Sequence, residues 1–429
     1  MTLSGSGGES PAPPTADLHP LLEEAFEALE QQGVRWCLLR GETLLHRPDD
    51  VDLLIAQQHG EVARAILENL GFVHLPAWGR GPHLFFLAYH QDTGSFVRLD
   101  VVTELCFGAM HELESDLGQP CLARRRSSGG LAVLDADDAM WTLLLHCLVD
   151  KGYFAAHHRA SLQQLVSEAD GTGPARRIVA TFSPPGWTTA RVVESLRLGR
   201  WETLESLDGP LSAAWARRQW PAAQRRKAVN RMLRVFTRAL LVPRRGLSVA
   251  LLAPDGGGKS TLAAGLERTF PGPVRSIYMG LTKASGSKTR YRVKAFGTAR
   301  IFRQYRRYLT GRYHRSRGRL VVFDRYIYDA MLPSSRQLSA IKRIRRRLLG
   351  RLCPAPDLVL LLDAPAEILY RRSREHSVAV LEGRRRDYLT LEGRVPNLRV
   401  IDASGEQEGV LQEATALIWE VYRRRIKKR

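Results

Sequence analysis

Leu247-Ser-Val-Ala-Leu-Leu-Ala-Pro-Asp-Gly-Gly-Gly-Lys-Ser-Thr261 is the stretch from which the second half of the chain is read. Leu247–Leu252 is a short apolar run bounded by Arg244-Arg245-Gly246 and Pro254, which suits a buried strand. Asp255, three glycines, Lys259, Ser260 and Thr261 follow, and then Leu262, Leu266 and Phe270 recur on one helical face. Strand, glycine loop, Lys-Ser/Thr and helix is the context of a phosphate-binding loop. Glycines let backbone N–H groups turn toward an anion, and the helix N-terminus adds partial positive charge. Lys259 would reach the outer phosphates of a nucleoside triphosphate, and the Ser260 hydroxyl would hold Mg²⁺. The candidate binding residues are therefore Pro254, Asp255, Gly256, Gly257, Gly258, Lys259, Ser260 and Thr261. Ala253 stands where such loops carry their first glycine. At positive φ it would cost about 1 kcal/mol, so a slightly shifted loop is expected.

The length of 429 residues exceeds what one core supports, so two or three domains are expected. Five scattered cysteines lack metal spacing, which suggests a reducing compartment. No apolar run approaches a membrane span, and residues 1–15 read as a disordered leader without signal-peptide features. Cytoplasmic residence is the resulting expectation. The net charge of +20 is unevenly placed: from Gly246 onward there are 38 basic and 16 acidic residues, a balance of +22, leaving −2 before it. Such a step suggests two units with different partners. The basic half calls for anions: a nucleotide or phosphorylated small-molecule acceptor, nucleic acid, or an anionic membrane surface.

Working back from the loop, residues 131–242 read as a mainly helical connector. Ala136–Val149 is amphipathic, with His146 taken as a core or capping histidine. Trp201, Trp215 and Trp220 are expected to anchor helix packing. Residues 16–125 alternate helix and strand. Strands are expected at Val34–Leu39, Phe72–Leu75, His83–Tyr89 and Ser95–Glu104, and Pro48–Ile55 reads as a turn leading into a strand. Asp50 and Asp52 are two apart and so share a strand face, and Asp100 lies on a later strand that could pair nearby. Three converging carboxylates would suit divalent cations in a phosphoryl displacement. This order resembles the minimal nucleotidyltransferase fold, in which Asp50, Asp52 and Asp100 would be metal ligands. Family members carry Gly-Ser before the carboxylates, where this chain has Arg40-Gly41-Glu42.

Residues 246–429 alternate strands and helices, the pattern of a parallel sheet flanked by helices. Strands are expected at Leu247–Leu252, Val274–Met279, Arg319–Phe323, Leu358–Leu362 and Leu398–Ile401. Asp324 and Arg325 end the third, where open α/β sheets place ligands. Asp324 could hold Mg²⁺ through water or orient the attacking oxygen, and Arg325 could grip an acceptor phosphate bidentately. Arg371, Arg372 and Arg374, then Arg384–Arg386, flank a less regular Glu375–Gly383, as in a mobile lid.

Asp255 third in the loop, Asp324-Arg325-Tyr326 ending a strand, the Pro365-Ala366-Glu367 turn before the lid arginines, and Val400–Ser404 together resemble the thymidylate-kinase-like branch of P-loop nucleoside monophosphate kinases. The resemblance implies ATP and Mg²⁺ as cofactors and Lys259, Asp324, Arg325, Arg371, Arg372 and Arg374 as catalytic residues. Arg325 would hold an acceptor phosphate, and the lid arginines would stabilise the transition state. In that family an Arg-Glu-Pro-Gly-Gly-type stretch shapes the thymidine pocket; Ser276–Leu281 replaces it here. The basic, tyrosine-rich segment Lys283–Arg319 reads either as an altered acceptor site or as a solvated helical face. Arg343–Arg347 and the tail Arg423–Arg429 read as solvated, or weakly attached to anionic polymers or lipid.

The expected architecture is thus α/β, with an N-terminal α+β nucleotidyltransferase-like domain, a helical connector and a C-terminal P-loop kinase domain. The expected activity is γ-phosphoryl transfer to a dTMP-like nucleoside monophosphate. The alternatives are a sugar phosphate or other metabolite as acceptor, or a nucleotide-gated binding protein for nucleic acid or membrane. A homodimer is a further partner reading.

Overall fold

A computed structural model describes residues 18–40, 51–76, 81–280, 297–333 and 353–427. Asp50, Tyr291 and Arg343–Arg347 lie outside the described residues. The chain divides into two compact units, Met1–Ala88 with Phe96–Arg238, and Tyr89–Ser95 with Ala239–Arg429.

The first unit holds the strands β1 (Trp36–Leu38), β2 (Val51–Ile55), β3 (Val73–His74), β4 (His83–His90) and β5 (Ser95–Val102). A short pair, β6 (Cys106–Phe107) and β7 (Leu113–Glu114), lies apart from the main sheet, which β8 (Arg126–Ser128) and β9 (Leu131–Val133) complete. The main sheet has seven strands in the order β3-β4-β5-β2-β1-β9-β8. β2 runs parallel to β5 with Asp52 directly opposite Asp100, so the two carboxylates anticipated from sequence are cross-strand neighbours. The helices after β9 share a core with this sheet. Cys37 and Leu54 sit in one buried cluster with Met140, Trp141, Leu144 and Trp215. Trp215 is fully buried, whereas Trp220 is 69% exposed and anchors nothing. The expected helix Ala136–Val149 is regular only to Leu145, and His146–Lys151 widens into a π turn. Periodicity cannot register that change, because six residues are too few to set a new period.

The second unit holds β10 (Leu247–Leu252), β11 (Val274–Tyr278), β12 (Leu320–Asp324), β13 (Leu358–Asp363) and β14 (Leu398–Asp402). All neighbours pair in parallel, in the order β11-β12-β10-β13-β14. β10 is buried throughout because both sheet faces are covered. Leu247, Val249 and Leu251 join Leu262, Leu266 and Leu411 on one face, while Ala250 and Leu252 join Val321, Phe323 and Tyr326 on the other. Each such leucine contributes roughly 2 kcal/mol of burial. The chain leaves β10 for β11 on one side and later crosses from β12 to β13 on the other. The carboxyl end of β10 therefore opens at a topological switch point, where a crevice forms. Lys259–Thr269 is the helix that follows the glycine loop.

The lid region is more regular than its sequence suggests. Two helices, Ala366–Ser373 and Val378–Leu389, are separated only by residues 374–377. Arg425 departs from the solvated reading of the tail, since its guanidinium lies 2.8 Å from Asp357 Oδ1 on a terminal helix, Gln407–Lys427. Among the described residues no helix is long and apolar enough to cross a membrane.

Candidate phosphate-binding cleft and a second cavity

A cleft of about 1520 Å³ lies at the carboxyl end of β10. Residues Pro254 to Thr261 all line it, with Asp324, Arg325, Asp329, Arg372, Arg384 and Tyr388. The loop keeps its form despite Ala253, which is buried and not among the positive-φ residues. The special backbone falls on Gly256 (φ 84°) and Gly258 (φ 82°). A Cβ on Gly256 would also lie 2.4 Å from the Leu369 carbonyl oxygen, so only glycine fits between the loop and the first lid helix.

Lys259 is buried beneath the loop, where its Nζ donates to the carbonyls of Ala253 (2.9 Å) and Pro254 (2.8 Å). Burial, aided by the Arg325 charge, lowers its pKa to about 8. Ser260 is exposed at the helix start. Asp324 Oδ1 is buried and has no hydrogen-bond partner among the described residues. A buried carboxylate oxygen without a donor is unstable alone and suits a cation. Asp324 and Ser260 thus fit a Mg²⁺-bound nucleotide.

Arg325 takes the left-handed conformation (φ 65°), which costs a non-glycine residue about 1–2 kcal/mol. The cost is offset by what the side chain then meets. Its Nη2 donates to Asp255 Oδ1 at 2.6 Å, and its Nη1 lies 3.4 Å from the Tyr388 hydroxyl and 3.7 Å from Asp329 Oδ2. Burial raises the Asp255 carboxyl, but the Arg325 charge outweighs this and holds it below the usual range. Arg384 pairs with the other Asp255 oxygen, and His376 Nε2 stands 3.6 Å from it. Asp255, Glu375 and His376 have metal-compatible spacing, but the two guanidiniums already neutralise Asp255.

The second lid helix is fixed at further points. Arg385 forks onto Asp363 at the end of β13 through two bonds of 2.7 Å. The Tyr388 hydroxyl donates to Asp329 at 3.0 Å. Burial pushes the Asp329 carboxyl above its usual range, with Arg325 pulling against it.

The three arginines expected from the first lid helix separate in the structure. Arg372 lines the cleft, donating to the carbonyls of Ala403 (2.7 Å) and Gly405 (3.3 Å). Arg371 is exposed and does not line the cleft, and neither does Arg374, an exposed left-handed C-cap (φ 53°). Arg384 takes the place expected for them, because the chain re-enters a helix at Val378 and carries it over Asp255. Asp329 escaped the sequence reading: nothing in Tyr-Asp-Ala marks an acid that becomes buried. From the segment Lys283–Arg319, no described side chain lines the cleft, and Tyr305 and Tyr313 are exposed. Tyr278 of β11 does line it, with the Arg307 guanidinium 5.5 Å from its ring centroid.

The first unit has its own cavity, of about 400 Å³, lined by Arg40, Asp52, His83, Asp100, His111 and His146 among others. Asp52 and Asp100, the two anticipated carboxylates among the described residues, face charges from the chain itself. Arg40 Nη1 lies 3.4 Å from Asp52 Oδ2, and His83 Nδ1 lies 3.0 and 2.9 Å from the two Asp100 oxygens. Burial works to lower the His83 pKa, but the Asp100 bond and charge outweigh it, and the net shift is upward. His111, its ring 4.2 Å from that of His83, is lowered to about 4 by burial and by the His83 charge. The π turn brings His146 Nδ1 to 2.8 Å from Asp150 Oδ2, so His146 lines the cavity and does not simply fill a core. His83 and His111 were missed because they are scattered in sequence and only the fold gathers them.

A glycine loop running from a central parallel strand into a helix N-terminus, over a buried lysine, places the second unit among P-loop folds. No protein-family model matches the chain. It is similar to the thymidylate kinase of Xanthomonas euvesicatoria pv. vesicatoria, at 26% identity over 192 residues, or 40% of this chain and 83% of that protein. The probable thymidylate kinase of Pyrococcus horikoshii is 26% identical over 203 residues, 41% of this chain and 96% of that protein. The thymidylate kinase of Xylella fastidiosa is 34% identical over a shorter 125 residues, 26% of this chain and 55% of that protein. Among solved structures, the thymidylate kinase from Candida albicans matches 41% of this chain and 91% of its own at 18% identity, with a TM-score of 0.30.

Proposed function

We propose that the second unit is an ATP-dependent phosphotransferase that moves the γ-phosphoryl group onto a nucleoside monophosphate of the dTMP kind. The observation that carries this reading is the arrangement across one cleft: a buried Lys259 under a glycine loop, facing a guanidinium, Arg325, fixed by Asp255 and Tyr388. One end suits a triphosphate and the other a second phosphate. In this reading an oxygen of the acceptor phosphate attacks the γ-phosphorus in line, the bond to the β-phosphate oxygen breaks, and ADP leaves. Lys259 balances charge on the β- and γ-phosphates, Arg325 holds the acceptor phosphate, and Arg384 meets the charge of the transferring group. Mg²⁺, held by Ser260 and Asp324, would supply further neutralisation of the phosphate oxygens. Similarity to thymidylate kinases supports the kinase class.

The test is ATP consumption by the full chain across a panel of nucleoside and sugar monophosphates. The expected result is stimulation by dTMP or a close relative that disappears in Lys259→Ala. No stimulation by any monophosphate would sink the reading. Tyr278, backed by Arg307, stands on the cleft wall within the stretch Ser276–Leu281 that replaces the thymidine-shaping one, and it favours a second reading. In that reading the acceptor is a sugar phosphate or another phosphorylated metabolite, and stimulation by the sugar phosphates alone would select it.

For the first unit we propose a ligand-binding cavity, not a metal-loaded transferase centre. Arg40 and His83 already neutralise Asp52 and Asp100, which supports this reading. Metal-dependent pyrophosphate release that is lost in Asp52→Ala would overturn it in favour of nucleotidyl transfer.

A further inference from the structure

The helix Ala222–Arg245 carries eight basic residues and no acidic one in the sequence AAQRRKAVNRMLRVFTRALLVPRR. Its attachment to the first unit reverses the usual arrangement, in which a helix buries its apolar side and leaves its polar side solvated. Polar groups hold it. Asn230 Nδ2 donates to the Met110 carbonyl at 2.8 Å, and Arg226 Nε donates to the Glu112 carbonyl at 2.9 Å. Arg226 Nη1 also pairs with Glu114 at 2.8 Å, and Lys227 Nζ pairs with Glu112 at 3.0 Å. On the other side Val229 (39%), Met232 (51%), Leu233 (49%), Val235 (63%) and Phe236 (56%) are exposed. Val229, Met232, Leu233 and Phe236 recur at helical spacing in one stripe, and Val235 widens it. Isolated exposed apolar side chains are ordinary, but these five lie together and form a contiguous patch. Arg225 stands in line with the stripe, and Arg231 stands one turn before Val235. Both are exposed, and neither has a hydrogen bond or ion pair among the described residues.

We propose that this apolar face docks on an anionic lipid surface. Met232, Leu233 and Phe236 enter the boundary between headgroups and acyl chains, while Arg225 and Arg231 meet lipid phosphates. Charge complementarity selects this occupant. The cations on the attached side are neutralised by Glu112 and Glu114, and those beside the patch are not. A second copy packed on the same stripe would bring two all-basic helices to about 8–10 Å, where salt screens repulsion incompletely. A protein groove takes a single file of anchors, whereas Val235 spreads this patch toward half the helix circumference, as a planar surface accepts. Single-stranded nucleic acid would want several stacking rings, and Phe236 is the only ring in the patch. The inference is independent of the phosphotransferase reading, because none of these side chains lines the cleft or the front cavity.

The test is co-sedimentation of the full chain with vesicles of phosphatidylcholine alone or mixed with phosphatidylglycerol. Binding should require the anionic lipid and weaken with salt. It should fall at least about tenfold in Met232→Ser/Phe236→Ser and in Arg225→Gln/Arg231→Gln, with thermal melting showing both variants folded. Phe236→Trp keeps an aromatic in the patch and reports insertion directly. Its emission, taken as the difference from the wild type, should shift to the blue when anionic vesicles are added. Absence of vesicle binding, equal binding to phosphatidylcholine alone, or binding indifferent to Met232 and Phe236 would overturn the proposal. So would a wild-type dimer dissolved by the serine pair, or single-stranded RNA competing with vesicles through the same side chains.

Discussion

In the cleft at the end of β10, Asp324 keeps one carboxylate oxygen buried and unbonded among the described residues, whereas in the front cavity Asp52 and Asp100 each face a cation of the chain's own. Both cavities place aspartates on strands, and both invite the same reading from sequence. They differ in what already surrounds the carboxylates. At Asp324 one oxygen lacks a donor: Lys259 acts on it through charge alone, and the nearby guanidiniums are committed elsewhere, Arg325 and Arg384 to Asp255, Arg385 to Asp363. At Asp52 and Asp100 that demand is met internally. Two aspartates on neighbouring strands are therefore weak evidence for metal chemistry until their partners are known.

The most severe way to break this contrast is to remove charge from each cavity in turn. Lys259→Ala should lower monophosphate-stimulated ATP turnover by about 10²–10³-fold, since a buried cation facing transferring phosphates acts where water is excluded. Asp52→Asn, in the other cavity, should leave that turnover unchanged. Comparable losses in both variants would show that the cavities share one reaction. A smaller but more diagnostic loss is expected for Asp324→Asn. Turnover should fall about 10²-fold with a raised Mg²⁺ requirement, because the amide keeps the shape and loses the charge. A titration of rate against Mg²⁺ concentration decides whether the orphaned oxygen is a cation site.

Arg384 gives the next, milder test. It is tied to Asp255 and lines the cleft. In Arg384→Ala, kcat should drop about 10-fold with little change in the KM for ATP, whereas Asp255→Asn should chiefly raise the acceptor KM by freeing Arg325. If both variants change only thermal stability, the Asp255 network holds the lid in place without serving the reaction.

The contrast also shows what was legible beforehand. All five strands of the second unit were readable, because doubly covered parallel strands appear as short unbroken apolar runs. The glycine loop was readable because its chemistry is contiguous. Arg384 was visible only as one of a cluster, since deciding which guanidinium reaches Asp255 requires the return of the chain at Val378. The front cavity was half legible: Asp52 and Asp100 stood out, but their neutralisation depends on His83 and Arg40, brought in by strand pairing. Asp329, His111 and the π turn at His146–Lys151 left no periodic trace.

The finest test concerns the front cavity and rests on the proton of His83. Asp100 holds the His83 pKa above its ordinary value of 6.5 in the folded state. The folded protein thus binds this proton more tightly than the unfolded chain does. The stabilisation is complete below pH 6.5 and is lost as pH rises through the folded value. His111 acts in the opposite direction: its lowered value of about 4 makes the folded form release a proton that the unfolded chain keeps until 6.5, so stability is gained with pH between those limits. The two slopes overlap little, and Asp100→Asn should remove the first while altering the second only through the smaller charge effects of His83 and Asp100 on His111. Unfolding free energy measured against pH should show the variant about 1–2 kcal/mol less stable than the wild type at pH 6, a gap that closes as the solution becomes alkaline. A gap that persists unchanged into alkaline solution would mean that Asp100 is held by something other than a protonated histidine, and that its charge remains open to a metal ion as Asp324 is.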